Sequence, residues 1–208
     1  MDLAALADDV ARRATAAASG RLLVGLVGAP GSGKSTLAKR LVRRLADRDV
    51  TAVRVPMDGF HLADEALRER GLLSRKGAIE TFDAHGYLAL LHRLRTELDH
   101  DVLAPSFERD LEQPLAGAIT VAPAHRVVVT EGNYLLDDLA PWPQVRDALD
   151  AVWFVDLAQD RRRARLVARH VKHGKPPAAA QAWVDDVDEP NAQRVLARRD
   201  AADGVVRA

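Results

Sequence analysis

Apolar positions along the chain fall into two alternating kinds. Nearly continuous apolar runs occur at 21–27 (RLLVGLV), 50–56 (VTAVRVP), 126–130 (RVVVT) and 151–157 (AVWFVDL). Short runs of this kind, bounded by turn residues, predict strands buried on both faces. Between them apolar residues recur every three or four positions, as in Leu3, Leu6 and Val10, in Leu37, Leu41 and Leu45, and in Tyr87, Leu91, Leu94 and Leu98. Those spacings predict helices with one buried stripe. Strands that alternate with helices specify an α/β fold, a three-layer α/β/α sandwich around a mainly parallel sheet. Val205-Val206 supplies a fifth, edge strand.

Weaker signals fill in the rest. Residues 62–82 are charged, carry Gly71 and Gly77, and read as a mobile helix-loop segment. Val102 to Phe107 and Ile119 to Val121 flank the polar, turn-rich stretch FERDLEQPLAG, which predicts a small β protrusion. Pro141 and Pro143 restrict where a helix within 139–149 can start. An arginine-rich helix from about Asp160 to Val171 is followed by the break KHGKPP, another helix, the polar stretch DDVDEPN and a final helix.

The first strand runs into Gly28-Ala29-Pro30-Gly31-Ser32-Gly33-Lys34-Ser35-Thr36, which fits the phosphate-loop pattern G-x-x-x-x-G-K-[ST] at every fixed position. Glycines let backbone N–H groups turn toward phosphate oxygens, and the helix that follows aims its positive end at the same anion. In this pattern Lys34 reaches the β- and γ-phosphates and the Ser35 hydroxyl holds Mg²⁺. A glycine-rich turn that binds nothing would not also require the preceding strand and the amphipathic helix. A nucleoside triphosphate, ATP, is therefore expected on residues 28–36, and the fold is expected to be that of a P-loop NTPase.

In a parallel sheet ligands collect at the carboxyl ends of strands. Two acids stand at such ends, Asp58 and Glu131. Glu131 after VVVT suits a carboxylate that steers Mg²⁺; a helix cap or a solvent-facing acid is the competing reading. Asp58 suits a general base that accepts the proton of an acceptor hydroxyl; before Gly59 it could equally be a turn former. Arg162, Arg165 and Arg169 share one helical face, either as a lid over phosphates or as a solvated basic face. Acceptor contacts are expected from Asp58, Phe60, His61, Lys76, Asp83 and Arg109, against ordinary loop.

Composition narrows the classes. In 208 residues, basic and acidic side chains number 30 each, so no nucleic-acid footprint appears in the net charge. Without cysteine there are no disulfides or thiolate metal sites. The start, MDLAALADDVARRATAAASG, carries acids and no h-region, and reads as a helix over 1–18. No apolar run approaches the roughly 20 residues that cross a bilayer. The expectation is one cytoplasmic domain spanning 1–208, with an acceptor-side insertion at about 60–122 and a helical lid at about 160–190. No membrane or nucleic-acid partner is expected, and a homodimer is left open.

Together GAPGSGKST (28–36), VPMDGFHL (55–62), GLLSRKGAIETFD (71–83), EGNYLL (131–136) and RLVARHVKHG (165–174) resemble the phosphoribulokinase, uridine kinase and pantothenate kinase group of P-loop kinases. The likeness is nearest to a bacterial branch labelled nucleoside/nucleotide kinase-like or fructose transport system kinase, and covers about residues 20–195. It implies that Asp58 is the catalytic base, that Lys34 and Ser35 handle phosphates and magnesium, and that Glu131 helps position the metal. It further implies that Arg165 and Arg169 are lid arginines and that Asp83 contacts acceptor hydroxyls. The expected activity is ATP-dependent transfer of a phosphoryl group to a hydroxyl of a nucleoside, a pantothenate-like acid or a sugar. The rival is a nucleotide-binding regulatory module without transfer activity. A GTPase is disfavoured, because Asp83-Ala84-His85-Gly86 opens a helix and no N-K-x-D sequence occurs.

Overall fold

The computed structural model describes residues 1–17 and 20–207. In chain order it contains helix α1 (Leu3–Ala16), strand β1 (Leu22–Val27), helix α2 (Lys34–Ala46), strand β2 (Ala52–Pro56) and a 3₁₀ turn at Met57–Phe60. Next come α3 (Asp64–Glu69), α4 (Ala84–Thr96), the strands β3 (Val102–Glu108) and β4 (Gln113–Val121), then β5 (Val127–Gly132) and α5 (Trp142–Asp147). The chain continues through β6 (Ala151–Asp156), α6 (Gln159–Lys172), α7 (Pro177–Trp183), α8 (Glu189–Leu196) and β7 (Gly204–Arg207).

Five strands form one sheet in the order β2-β5-β1-β6-β7, and their pairings are parallel. Every residue of β1 and β5 is buried, as the continuous apolar runs require. Alternate side chains serve opposite faces. Leu22, Val24 and Leu26 of β1 pack with Leu6, Val10, Leu37 and Leu41 of α1 and α2. Leu23 and Val27 pack with Tyr87, Leu91 and Leu94 of α4 and with Trp142 and Val145 of α5. The three-layer α/β reading therefore holds. The carboxyl ends of β1, β2 and β5 lie side by side, since Val27 is in register with Gly132 and Pro56 with Glu131.

Several boundaries differ from expectation. The N-terminal helix ends at Ala16, and position 18 lies outside the described residues. Leu98 is not part of the α4 stripe; the helix closes at Thr96 and Leu98 is exposed. Much of the polar stretch after Phe107 is strand, because β4 starts at Gln113 and only 109–112 form the turn. Backbone pairing along a hairpin outweighs the turn propensity of Pro114 and Gly117. Segment 62–82 is helix and loop, with α3 and two 3₁₀ turns, and it is anchored where the Tyr134 hydroxyl donates to Gly77 O at 2.7 Å and Lys76 Nζ meets Asp64 Oδ1 at 2.6 Å. The polar stretch DDVDEPN between the last two helices is itself helical: a π-helical turn at Val184–Asp188 joins α7 to α8, which begins at Glu189. Among the described residues no helix is long and apolar enough to cross a membrane.

The β3–β4 hairpin stands beside the main sheet and packs on the 3₁₀ turn that carries Asp58. A Cβ placed on Gly59 would lie 2.5 Å from Pro105 O, so only glycine allows this approach. The replacement Gly59→Ala should destabilise the protein by about 1–3 kcal/mol, as overpacking against backbone does. Urea unfolding measures this, and an unchanged midpoint would show that the turn and hairpin are not packed as described.

Candidate active site

The phosphate loop owes its shape to two left-handed residues, Gly31 at φ +80 and Gly33 at φ +96. Gly33 is the residue before α2, so the first N–H groups of that helix open toward the loop interior. The Ser32 hydroxyl is buried and has no hydrogen-bond partner among the described residues, an orphan that a phosphate oxygen would satisfy. Pro30, Gly31, Gly33, Lys34, Ser35 and Thr36 line a cleft of about 1150 Å³, while Gly28 and Ala29 are buried.

Strand ends bring the charged groups to the same cleft. Lys34 is buried, with its Nζ donating to Asn133 Oδ1 at 2.7 Å and to Ala29 O at 3.3 Å. Burial lowers its pKa from the ordinary lysine value to about 8, against the opposing pull of Glu131 and Asp58. Glu131 is itself buried, with Arg54 Nη1 at 2.8 Å. Burial raises its pKa and the Asp58 charge adds to this, while Lys34, Arg54 and the Ser35 hydroxyl oppose. Asp58 sits half-buried on the turn after β2, with Arg109 Nη2 3.5 Å from Oδ2. Ser35 and Glu131 are hard oxygen donors suited to magnesium. Among the described residues no group of three or more His, Cys, Asp or Glu gathers as a metal site, so the other oxygens would come from phosphates and water.

Around this centre the other expected residues divide. His61, Lys76, Arg109, Arg165 and Arg169 line the cleft with Asp58 and Glu131. His61 packs against Phe82 at 4.1 Å and Phe107 at 4.6 Å with its ring tilted by 45° and 43° to theirs, and burial lowers its pKa. Phe60 and Asp83 are not among the lining residues. Phe60 packs on Tyr87 at 5.3 Å, and Asp83 caps α4 by accepting from Gly86 N at 2.8 Å. Of the three arginines on one face of α6, Arg165 and Arg169 line the cleft and Arg162 does not. Arg162 is buried, pairs with Glu189 and donates to Pro30 O at 3.4 Å, because α6 lies against Gly31 at that turn.

Sequence reasoning missed Arg54 and Asn133, which hold Glu131 and Lys34. The signal for Arg54 was a single cation inside the apolar run VTAVRVP; Asn133 stood two residues beyond Glu131. It also missed Trp183 and Asp188, which line the lid side of the cleft.

A phosphate loop that served only as a turn would need neither strand-end acids nor arginines on the opposite wall. Fold and cleft together define a P-loop phosphotransferase. The model described as the Phosphoribulokinase / Uridine kinase family matches residues 23–175, and the chain belongs to that family. A crystal structure of a "putative fructose transport system kinase" from Silicibacter sp. TM1040 is similar with a TM-score of 0.91 at 42% identity, covering 99% of this chain and 98% of that one. "Putative uridine kinase C227.14" from Schizosaccharomyces pombe is 35% identical over 164 residues, 74% of this chain and 68% of that protein. "ATP-dependent kinase-like protein notR'" from Aspergillus versicolor is 36% identical over 152 residues, 69% of this chain and 88% of that protein. The chain is thus a P-loop kinase that phosphorylates small molecules.

The buried lysine makes nucleotide binding pH-dependent. Phosphates around Lys34 favour its charged form, so binding raises the pKa from about 8 and takes up protons at pH 8.5. Affinity should fall as pH rises above 8, by at most about tenfold per unit. Titration calorimetry in buffers of different ionisation heat measures the uptake; equal heats in all buffers would contradict the burial of this charge.

Proposed function

We propose that the protein transfers the γ-phosphoryl group of ATP, as its magnesium complex, to a hydroxyl of a small metabolite. The reading is carried by one juxtaposition: Asp58 and Lys34 share a cleft that continues past them into the hairpin and the 62–82 segment. The donor end suits a triphosphate, with backbone N–H groups, the orphan Ser32 hydroxyl and the Lys34 ammonium. Magnesium, held by the Ser35 hydroxyl and the Glu131 carboxylate, directly or through water, would offset negative charge on the β- and γ-phosphates.

Within that frame each side chain has a definite task. Lys34 binds the β- and γ-phosphate oxygens, and Asn133 fixes the direction of its ammonium. Arg54 balances the buried Glu131 charge, so the acid stays available as an oxygen ligand. Asp58, at the boundary between loop and acceptor space, orients the acceptor hydroxyl and takes its proton. Arg165 and Arg169 reach in from α6 and neutralise charge on the transferring group. His61 and Lys76 bound the acceptor side. Nucleosides, pantothenate-like acids and sugars are the acceptor classes to be screened.

Replacing Asp58 by Asn keeps size and polarity and removes the base. Phosphoryl transfer in a magnesium-ATP assay across that screen should drop on the order of 10²- to 10⁴-fold, with ATP affinity retained. Near-normal turnover in the variant would remove Asp58 from this role. A wild type that binds ATP yet phosphorylates nothing in the panel would favour a regulatory nucleotide-binding module.

A further inference from the structure

Ion pairs match some of the charges that line the cleft, while Lys39, Glu112 and Lys175 are in none among the described residues. Asp64 takes Lys76 at 2.6 Å and Arg68 at 3.7 Å, Glu131 takes Arg54 at 2.8 Å, and Asp188 takes His170 at 2.7 Å. Where the hairpin turn meets the lid, cations are in excess. Arg109 contacts Asp58 only at 3.5 Å, and no ion pair among the described residues contains Arg165 or Arg169. Burial depresses the Arg169 pKa, and the Arg109 charge depresses it further, so these two guanidinium groups repel one another. Both also repel the Lys34 ammonium. Hairpin and lid meet at the same point, with His173 Nδ1 3.9 Å from Asp110 Oδ1.

Lys34, Arg109 and Arg169, from three separate elements, therefore gather beside the phosphate loop, within reach of the charges of Asp58, Glu112 and Asp188. Like charges held together with no ion pair among the described residues closer than the 3.5 Å Arg109–Asp58 contact favour an anionic ligand between them. The Arg109–Asp58 contact is also a weak one. Its side chains are 42% and 24% exposed, so water screens the pair and it gives way readily.

We propose that Arg109 is a catalytic residue of the transfer itself. Once nucleotide fills the loop, its guanidinium leaves Asp58 and engages oxygens of the transferring phosphoryl group, opposite Arg169. This assignment rests on the kinase reading above and replaces the acceptor-binding role that the sequence suggested for Arg109. In the step it assists, the bond between the γ-phosphorus and the β–γ bridging oxygen breaks, and the acceptor oxygen bonds to that phosphorus. The hydroxyl proton passes to Asp58, and ADP leaves with the electron pair of the broken bond. Two planar forks share the charge that spreads over the transferring oxygens. Departure of Arg109 also uncovers the Asp58 oxygen that the acceptor hydroxyl needs. The base then becomes fully available only when a phosphoryl group is in place.

The test needs no knowledge of the acceptor. ADP with magnesium and aluminium fluoride imitates the group in transfer, and the gain in affinity over ADP alone reports the residues that hold it. The full-length wild type should show that gain. Arg109→Met should lose at least about tenfold and up to roughly 10³-fold of it, with ADP affinity unchanged, and Arg109→Lys should keep part. Arg109 lies on the exposed hairpin turn, and unchanged ADP binding shows that each variant is folded. A gain that survives in Arg109→Met overturns this assignment alone. A wild type that binds ADP with no gain from aluminium fluoride overturns both the assignment and the kinase reading.

Discussion

A lysine ammonium removed from water is the constraint on which the rest of this site depends. Lys34 opens α2 beneath the phosphate loop, where its charge is costly unless opposite charge and acceptors surround it. The parallel sheet supplies them. Adjacent strand ends deliver Glu131 at the end of β5, Asn133 just after that strand and Asp58 after β2, and Arg54 in turn steadies Glu131. None of these groups is placed independently of the others. Each is tolerated in the interior because its neighbour is there, and bound phosphate completes the set.

Against that buried centre, the walls of the cleft are built from elements that lie outside the main sheet. The hairpin β3–β4 presses its Pro105 backbone onto Gly59 and carries Arg109 at its tip. Helix α6 lies on Gly31 and carries Arg165 and Arg169. The phosphate loop and the strand-end acids are thus set by the sheet, while Arg109, Arg165 and Arg169 reach the cleft from two protrusions outside it.

The fold and the donor half were legible because their signals are contiguous. Buried strands read as unbroken apolar runs, and the phosphate loop is a single local word whose glycines have a steric cause. The acceptor wall was legible only in part. Asp83 is spent on capping α4, a local use of the carboxylate that competes with any ligand contact. Phe60 turns into the core against Tyr87. Arg162 has the same helical spacing as its neighbours, yet it faces inward because α6 docks on the loop at that turn, which no periodicity reveals. Arg54 and Asn133 gain their meaning from partners 77 and 99 residues away. Such pairings are set by strand order, and strand order is not written in any one stretch.

The anchoring of Arg162 to Pro30 O and Glu189 has a mechanical consequence. It fixes one end of α6 to the very loop that grips the nucleotide, while Lys172 lies ten residues further on, about 15 Å along the axis. A rod pinned at its root is a lever. A tilt of roughly 10° at the pinned turn carries the far end by about 3 Å, given that helical rise. An adjustment of the loop around phosphate is therefore carried along α6 to its far end, where His170 pairs with Asp188 and His173 meets the hairpin.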